Sequence, residues 1–238
     1  MVFISILLNF NDLILKYYTI EWIGNLKDSE IIEKIKNAVI KGISEEAIAA
    51  VNTALKMNIE TNQILNEAII SGAEEVGLRY EKEEYFLADM LLAADAINDC
   101  MDVIKPKLVE EKYKSPGKVL IGTPEGDLHD IGKSLVVALL QGQGFEVIDL
   151  GVDVPPEKFV EVATNENPDI IGISGLLTVT ISKMTETVTM LKRKGIKAKI
   201  VVGGGILSEQ SCKYIGADAW TKDGWKGVKL IKDLMEAN

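Results

Sequence analysis

The sequence predicts an α/β protein: a flavodoxin-like (Rossmann-like) five-stranded parallel sheet, preceded by an all-α four-helix bundle. Three observations carry that prediction. From residue 118 onward, short β-branched or apolar runs alternate with helix-length segments, and strands separated by helices run parallel and are covered on both faces. From residue 27 to residue 110 the apolar residues recur at helical spacing instead. Between the two lies EEKYKSPG, Glu110–Gly117, a polar stretch ending in a Pro-Gly pair, which is the composition of a connector.

The bundle is built first. Ile31, Ile32, Ile35, Ala38 and Val39 line one face of an opening helix, and Gly42 is its expected stop. Ser44 is the expected N-cap of the second helix, with Glu45 and Glu46 in the first turn, where the helix dipole favours them. Ala47, Ile48, Val51, Ala54 and Leu55 form its apolar face. A third helix is expected from Thr61 to Gly77 through Ile64, Leu65, Ala68, Ile69, Ala73 and Val76. A fourth starts near Tyr85 and carries Leu87, Met90, Leu91, Ala94, Ile97, Met101 and Ile104. Short connections between four such helices give an antiparallel bundle. The expected boundaries are 27–110 for the bundle, 111–117 for the linker and 118–238 for the sheet domain. Residues 1–26 are an appendage of unknown role. Its apolar start, Met1–Leu8, is interrupted by Asn9, Asn11 and Asp12, lacks a basic leader and is too short to span a bilayer. One expectation is that the natural chain begins near Leu26.

The sheet domain follows. Lys118–Gly122 is the first strand and Ile131–Gln143 the first helix; Phe145–Leu150 is the second strand. Pro155 and Pro156 open the next helix, because proline is tolerated in a first turn. Asp169–Ser174 is the third strand, and Thr178–Lys194 a helix ended by Gly195. Lys199–Val202 is the fourth strand and runs into Gly203-Gly204-Gly205. After a short helix, Ala217–Trp220 is the fifth strand and Lys226–Glu236 the last helix. Ligands of doubly wound sheets bind outside the C-terminal strand ends, where the winding reverses.

Composition narrows the function. A net charge of −10 and a pI near 4.8 argue against nucleic acid as a partner. Cys100 and Cys212 form no C-x-x-C, so no disulfide framework or zinc motif is readable and a cytoplasmic protein is expected, with no membrane partner.

The chain has one histidine, His129, within Gly126-Asp127-Leu128-His129-Asp130-Ile131-Gly132. Imidazole is the commonest donor to transition metals, and a carboxylate on its second nitrogen sets the tautomer. The His129 loop, Ser174-Gly175-Leu176 and the triple glycine all follow strands, so they converge on one sheet edge. Gly132-Lys133-Ser134 mimics the end of a phosphate-binding loop, but five residues rather than four separate Gly126 from Gly132, which disturbs the backbone nest. Asp127 and His129 could form an acid–base dyad with Ser174 as nucleophile, yet Ser174 lacks the G-x-S-x-G elbow. Catalytic zinc wants three protein ligands. Heme typically uses a helix-borne histidine or C-x-x-C-H. A lone ligand suits a metal that brings its own equatorial ring.

Asp127-x-His129-x-x-Gly132, Ser174-x-Leu176 and Gly203-Gly204 resemble the motifs of the cobalamin-binding domain found in methionine synthase, carbon-skeleton mutases and small corrinoid proteins. Gly77-Leu78-Arg79-Tyr80, Glu84–Met90 and Ala93-Ala94 resemble the helical cap that precedes this domain in methyl carriers and that the mutases lack. The likeness covers about Asp28 to the C-terminus. It implies a small corrinoid protein of a methyltransferase system, with cobalamin in the methylcobalamin form as cofactor. His129 would be the lower axial ligand to cobalt, the cofactor's own base displaced. Asp127, His129 and Ser174 would be the reactive residues, Asp127 exchanging a proton as His129 binds and lets go. Gly126, Leu128, Asp130, Ile131, Gly132, Leu176 and Thr178 would touch the cofactor. Gly203, Gly204 and Gly205 would clear room for its nucleotide tail, and Tyr85 and Phe86 would cover the upper face. The implied partners are a substrate-specific methyltransferase, an acceptor-side corrinoid methyltransferase and a reductive activation protein. The protein alone would turn nothing over. The methyl donor (methylamine, methanol, betaine or methoxy-aromatic) and the acceptor stay open. A cobalamin-dependent sensor or a mutase subunit are the alternatives; the first wants an output module and the second needs no cap.

Overall fold

The computed structural model describes residues 27–236; the expected appendage, 1–26, lies outside them. Helices α1 (residues 27–41), α2 (Ser44–Lys56), α3 and α4 (Leu87–Glu110) form the bundle. Helix α3 is continuous across Thr61–Gln63, a π-type stretch Ile64–Ile70 and Ser71–Glu81. Of the apolar residues predicted to face inward, Ile35, Val39, Val51, Ile64, Leu65, Ile97 and Ile104 are fully enclosed, whereas Leu87, the first residue of α4, is 52% exposed.

Three boundaries differ from expectation. Ser44 caps nothing: Ile43 holds the cap position of α2 without a side-chain bond. The chain turns through Gly42 at φ +65°, and Ile43 N–H donates to Ala38 O of the preceding helix (2.9 Å), so the end of α1 runs directly into α2. Helix α3 passes through Gly77 to Glu81, because Gly77 is a packing notch and not a stop: a Cβ there would lie 2.1 Å from the Trp225 ring. Helix α4 starts at Leu87, not Tyr85, where the Asp89 carboxylate accepts from Phe86 N–H (2.8 Å).

The second half is a five-stranded parallel sheet in the order β2-β1-β3-β4-β5. Its strands are β1 (Lys118–Gly122), β2 (Glu146–Asp149), β3 (Ile170–Ser174), β4 (Lys199–Gly203) and β5 (Ala219–Thr221). Helices α5 (Ile131–Gly142) and α9 (Gly224–Glu236) lie on one face. Helices α6 (Pro156–Glu166), α7 (Thr180–Lys194) and α8 (Glu209–Ile215) cover the other. Predicted ends moved by one to two residues, most visibly at α7, where Leu177–Thr180 closes a turn (Thr180 N–H to Leu177 O, 3.0 Å) before the helix begins. The central strands are buried on both sides and read as continuous apolar runs for that reason.

Alternate strand residues feed two cores. Leu120, Ile171, Ile173, Ile200 and Val202 pack against α6, α7 and α8. Val119, Ile170 and Val201 face α5 and α9, and this core continues without a break into the bundle. The connecting stretch is tied to both sides. The Thr61 hydroxyl donates to Glu111 (2.7 Å), and the Ser115 hydroxyl bonds Gly117 O (2.8 Å) and Gly144 O (3.1 Å).

Both thiols are buried and unpaired. Burial, helped by the charge of Asp99, pushes the Cys100 thiol up to about 12; burial chiefly raises Cys212 as well. Since the thiolate is the nucleophile, neither should react with an aromatic disulfide reagent at neutral pH in the folded protein, and both should react in denaturant. Rapid labelling of the native chain would contradict this burial.

Candidate functional site

The chain enters the sheet at β1, moves out to β2 and returns to β3. The C-terminal ends of β1 and β3 therefore form the point where the winding reverses, and the loops leaving them carry Asp127, His129 and Leu176. The β1 loop is shaped from within. Thr123, fully buried, donates its hydroxyl to His129 O (3.3 Å). Asp127 is also fully buried. Its Oδ1 accepts from His129 N–H (3.0 Å) and lies 2.6 Å from His129 Nδ1. Its Oδ2 accepts from Leu176 N–H (2.8 Å) and Leu177 N–H (3.4 Å). One carboxylate thus joins the two edge loops to each other and to the imidazole.

Electrostatics follow from that bonding. Burial works to raise the Asp127 pKa, but hydrogen bonds from Leu176, His129 and Leu177 outweigh it and hold the carboxyl below its ordinary range. An ionised Asp127 facing Nδ1 assigns the proton to Nδ1 and leaves Nε2 as the free lone pair. The His129 side chain is 51% exposed, so Nε2 is open to a ligand.

The surroundings of the imidazole are apolar and outward-facing. Leu128 (72% exposed), Ile131, Leu176, Leu177 and Val179 (74%) all stand out of the surface around it. Water-exposed aliphatic side chains gathered at one edge mark a surface meant to be covered. Beside them a cavity of about 210 Å³ runs from His129 down between the sheet and helices α5 and α9. Ser174, Gly172, Gly203, Gly204, Gly205 and Gly227 line it.

This geometry offers a single nitrogen donor, a flat apolar rim and a narrow slot. Among the described residues no three His, Cys, Asp or Glu side chains gather as a metal cluster; the imidazole is the donor this edge presents. A corrinoid whose own base can leave the metal matches all three features. The comparisons with known proteins agree. A B12 binding domain family matches residues 117–224, and a second B12 binding domain family matches residues 31–105. The dimethylamine corrinoid protein of Methanosarcina barkeri is 35% identical over 213 residues, 88% of this chain and 100% of that protein. Trimethylamine corrinoid protein 1 of Methanosarcina acetivorans is 37% identical over 210 residues, 87% of this chain and 97% of that protein. The chain belongs to the corrinoid proteins of methyltransferase systems. The crystal structure of the methanol:cobalamin methyltransferase complex MtaBC from Methanosarcina barkeri aligns with a TM-score of 0.77 at 26% identity, covering 88% of this chain and 81% of that one.

The corrinoid protein's three adjacent glycines have different duties. A Cβ on Gly203 would meet only Thr221 Cγ2, at 3.9 Å, and one on Gly205 only Leu176 Cδ1, at 3.6 Å; both positions are open toward the slot. A Cβ on Gly204 would fall 1.8 Å from Gly175 O, and its φ is +138°. Gly204 is therefore glycine because two backbones meet there, a reason independent of any ligand.

Other predicted residues are placed as follows. Gly126 and Gly132 face open space, and Asp130 is the exposed residue at the N-cap of α5. The Ser174 hydroxyl lines the slot but makes no hydrogen bond to His129 or Asp127. Thr178 is exposed and outside the slot lining. Tyr85 and Phe86 line a separate groove with Tyr80, Asp223 and Trp225. The Tyr85 hydroxyl donates to Ile40 O (2.9 Å), and its ring lies under the Arg79 guanidinium at 5.4 Å. Phe86 is 69% exposed, and Leu87 stands out beside it.

Some site residues escaped the sequence reading. Gly172 sits mid-strand in β3, where an isolated glycine signals close approach. Gly227 and Asp223 of the α9 region complete the slot wall, and nothing in the sequence ties that region to the β1 edge. Lys133, the cation of the false phosphate-loop pattern, is 3% exposed and paired with Asp149. Among the described residues no helix is long and apolar enough to cross a membrane.

Proposed function

We propose that this corrinoid protein receives a methyl group from a substrate-specific methyltransferase acting on methylated amines and passes it to an acceptor-side methyltransferase, and that His129 is the residue that would ligate its cobalt. The observation that carries the reading is the Asp127–His129 pair at 2.6 Å, its free nitrogen exposed at the mouth of the glycine-lined slot. The amine class is supported by the di- and trimethylamine corrinoid proteins among its relatives, and a methyltransferase partner by the likeness to the methanol:cobalamin methyltransferase complex. A reductive activation protein and a cytoplasmic setting belong to the same proposal.

Bound cobalamin supplies a cobalt centre able to accept and release a methyl group. The protein's own residues do the rest. Leu128, Ile131, Leu176 and Val179 offer an apolar rim that would carry a macrocycle, and the slot beside Ser174 and Gly203 would take its tail. His129 offers Nε2. Asp127 Oδ1 accepts the Nδ1 proton as a hydrogen bond while the imidazole is bound; it can hold that proton more or less closely as the imidazole binds or is released. Tyr85 and Phe86 would shield the upper face, and residues 111–117 would hinge the bundle away to admit each partner. The continuous core between bundle and sheet means that such opening exposes apolar surface, so the partner must cover what the bundle leaves.

Because the chain has one histidine, ¹⁵N-histidine labelling tests the ligand without ambiguity. In the Co(II) state the electron paramagnetic resonance spectrum should show splitting from one nitrogen that changes from a triplet to a doublet on labelling and vanishes in His129→Ala. Splitting that ignores the label would mean that the cofactor's own base stays coordinated and would reject the assignment.

A further inference from the structure

The loop between β2 and α6 braces the His129 loop along its length. Thr123 N–H donates to Gly151 O (3.0 Å), Val154 N–H to Thr123 O (3.0 Å) and Glu125 N–H to Val154 O (2.9 Å). Asp153 closes the contact from both sides of one link. Its Oδ1 accepts from Gly126 N–H (2.8 Å), and its own N–H donates to Asp127 O (3.0 Å). To do so it adopts φ +55°, a left-handed conformation that aspartate tolerates better than most residues other than glycine.

On its other side the stretch is held through side chains: the Lys183 ammonium pairs with Glu125 (2.7 Å), and Leu176 N–H reaches the Asp127 carboxylate (2.8 Å). Gly126 has φ +84°, and a Cβ built on it meets nothing within 4 Å. At Gly126 itself nothing packs over the backbone, and the bond its N–H donates to Asp153 is the side-chain contact that fixes it. A second anchor lies beyond the histidine: buried Lys133, on the first turn of α5, pairs with Asp149 at the end of β2, and Asp149 Oδ1 accepts from Gly151 N–H (2.9 Å). A cation near a helix N-terminus opposes the dipole, and a buried ion pair is poor evidence of stabilisation. Its consequence here is positional, since it ties the helix that follows His129 to the same bracing loop.

We propose that Asp153 is a positioning residue for His129. Its hydrogen bonds go to Gly126 and Asp127 backbone and not to the imidazole, and it is not among the residues lining the slot. It acts through the Gly126–Asp127 backbone, setting the Asp127 carboxylate so that the Nδ1 hydrogen bond exists before any cofactor arrives. Lys133 supports it from the other end of the loop. The proposal rests on His129 being the metal ligand, and the test separates the two.

The test compares wild type, Asp153→Gly, Asp153→Asn and Lys133→Met, each labelled with ¹⁵N-histidine. Asp153→Gly keeps the left-handed backbone without strain and removes only the acceptor. Asp153→Asn keeps an acceptor oxygen and tolerates the same backbone. The first readout uses the cofactor-free protein: the downfield Nδ1–H proton resonance of the single imidazole. The second is cobalamin affinity and nitrogen splitting after reconstitution. In Asp153→Gly the resonance should move upfield and broaden, and affinity should fall about tenfold, the low end for loss of a group that orients a metal ligand. Asp153→Asn should match wild type, and Lys133→Met should shift in the same direction as Asp153→Gly. A wild-type resonance and affinity in Asp153→Gly would overturn the proposal. So would failure of Asp153→Asn to restore them. If wild type shows no histidine nitrogen on cobalt, the ligand assignment itself fails and this role falls with it, whatever the proton resonance does.

Discussion

Gly204→Ala is expected to lower stability by about 3 kcal/mol or more, combining a left-handed backbone with a backbone collision. For a chain of this size that corresponds to a melting temperature lower by about 6–12 °C. The physical reason is local and specific. A methyl group at this position would lie 1.8 Å from Gly175 O, and backbone cannot rotate away as a side chain would. The loops leaving β3 and β4 must part, which breaks the hydrogen bond from Gly175 N–H to Gly203 O (2.9 Å) and loosens that from Gly204 N–H to Thr221 O (3.1 Å). Both bonds border the slot, so cobalamin uptake should fall with stability. The neighbouring Gly203→Ala is the control. Its added methyl group meets only Thr221 Cγ2, at 3.9 Å, so the fold should melt as wild type does while a methyl group intrudes on the slot. Thermal unfolding and cobalamin titration on both variants check this; equal melting temperatures would mean that the two glycines do the same job.

Trp225→Ala should be comparably severe. Trp225 is 5% exposed at the start of α9 and fills the notch left by Gly77 on α3. Its indole N–H donates to Glu81 (3.1 Å). Removing a buried tryptophan costs about 3–5 kcal/mol, or a melting temperature lower by about 6–20 °C. The loss falls on the joint between bundle and sheet domain. The polar contacts beside the indole are half-exposed: Lys229 with Glu81 (2.8 Å), Lys232 with Glu74 (3.0 Å) and Tyr80 with Asp223 (3.3 Å), which leaves the α4–α5 part of the shared core to hold the joint. Ion pairs of that exposure contribute little. The variant should therefore separate more readily at the joint, seen as faster proteolysis within 111–117. Wild-type melting and proteolysis would show that the bundle is held elsewhere.

Much of this architecture was readable because periodicity reports burial. The Val119–Ile121 and Ile170–Ile173 runs announced strands covered on both faces, and the spacing of Ile64, Leu65, Ala68 and Ile69 announced a bundle helix. Helix ends were less readable. Ser44 and Gly77 carry familiar boundary signals, but a boundary depends on what the chain meets next: α1 turning directly into α2 in one case, Trp225 in the other. The candidate site divides in the same way. Asp127 and His129 are two residues apart, so their pairing is a local matter that a motif can encode. Asp153, Asp223 and Gly227 act on that pair or its slot from loops distant in the chain, and no local pattern sets them apart; Lys133 lies close by in sequence, but its partner Asp149 does not.

By itself, then, the amino-acid order determined a helical bundle, a doubly wound sheet and a lone imidazole with a carboxylate at hand. These rest on interactions between near neighbours and on apolar period. Only the tertiary structure decided which glycines serve the fold and which leave room for a ligand, and which distant carboxylate grips the histidine loop. Those choices are made by contacts between segments far apart in sequence, and they exist only once the sheet has brought the segments together.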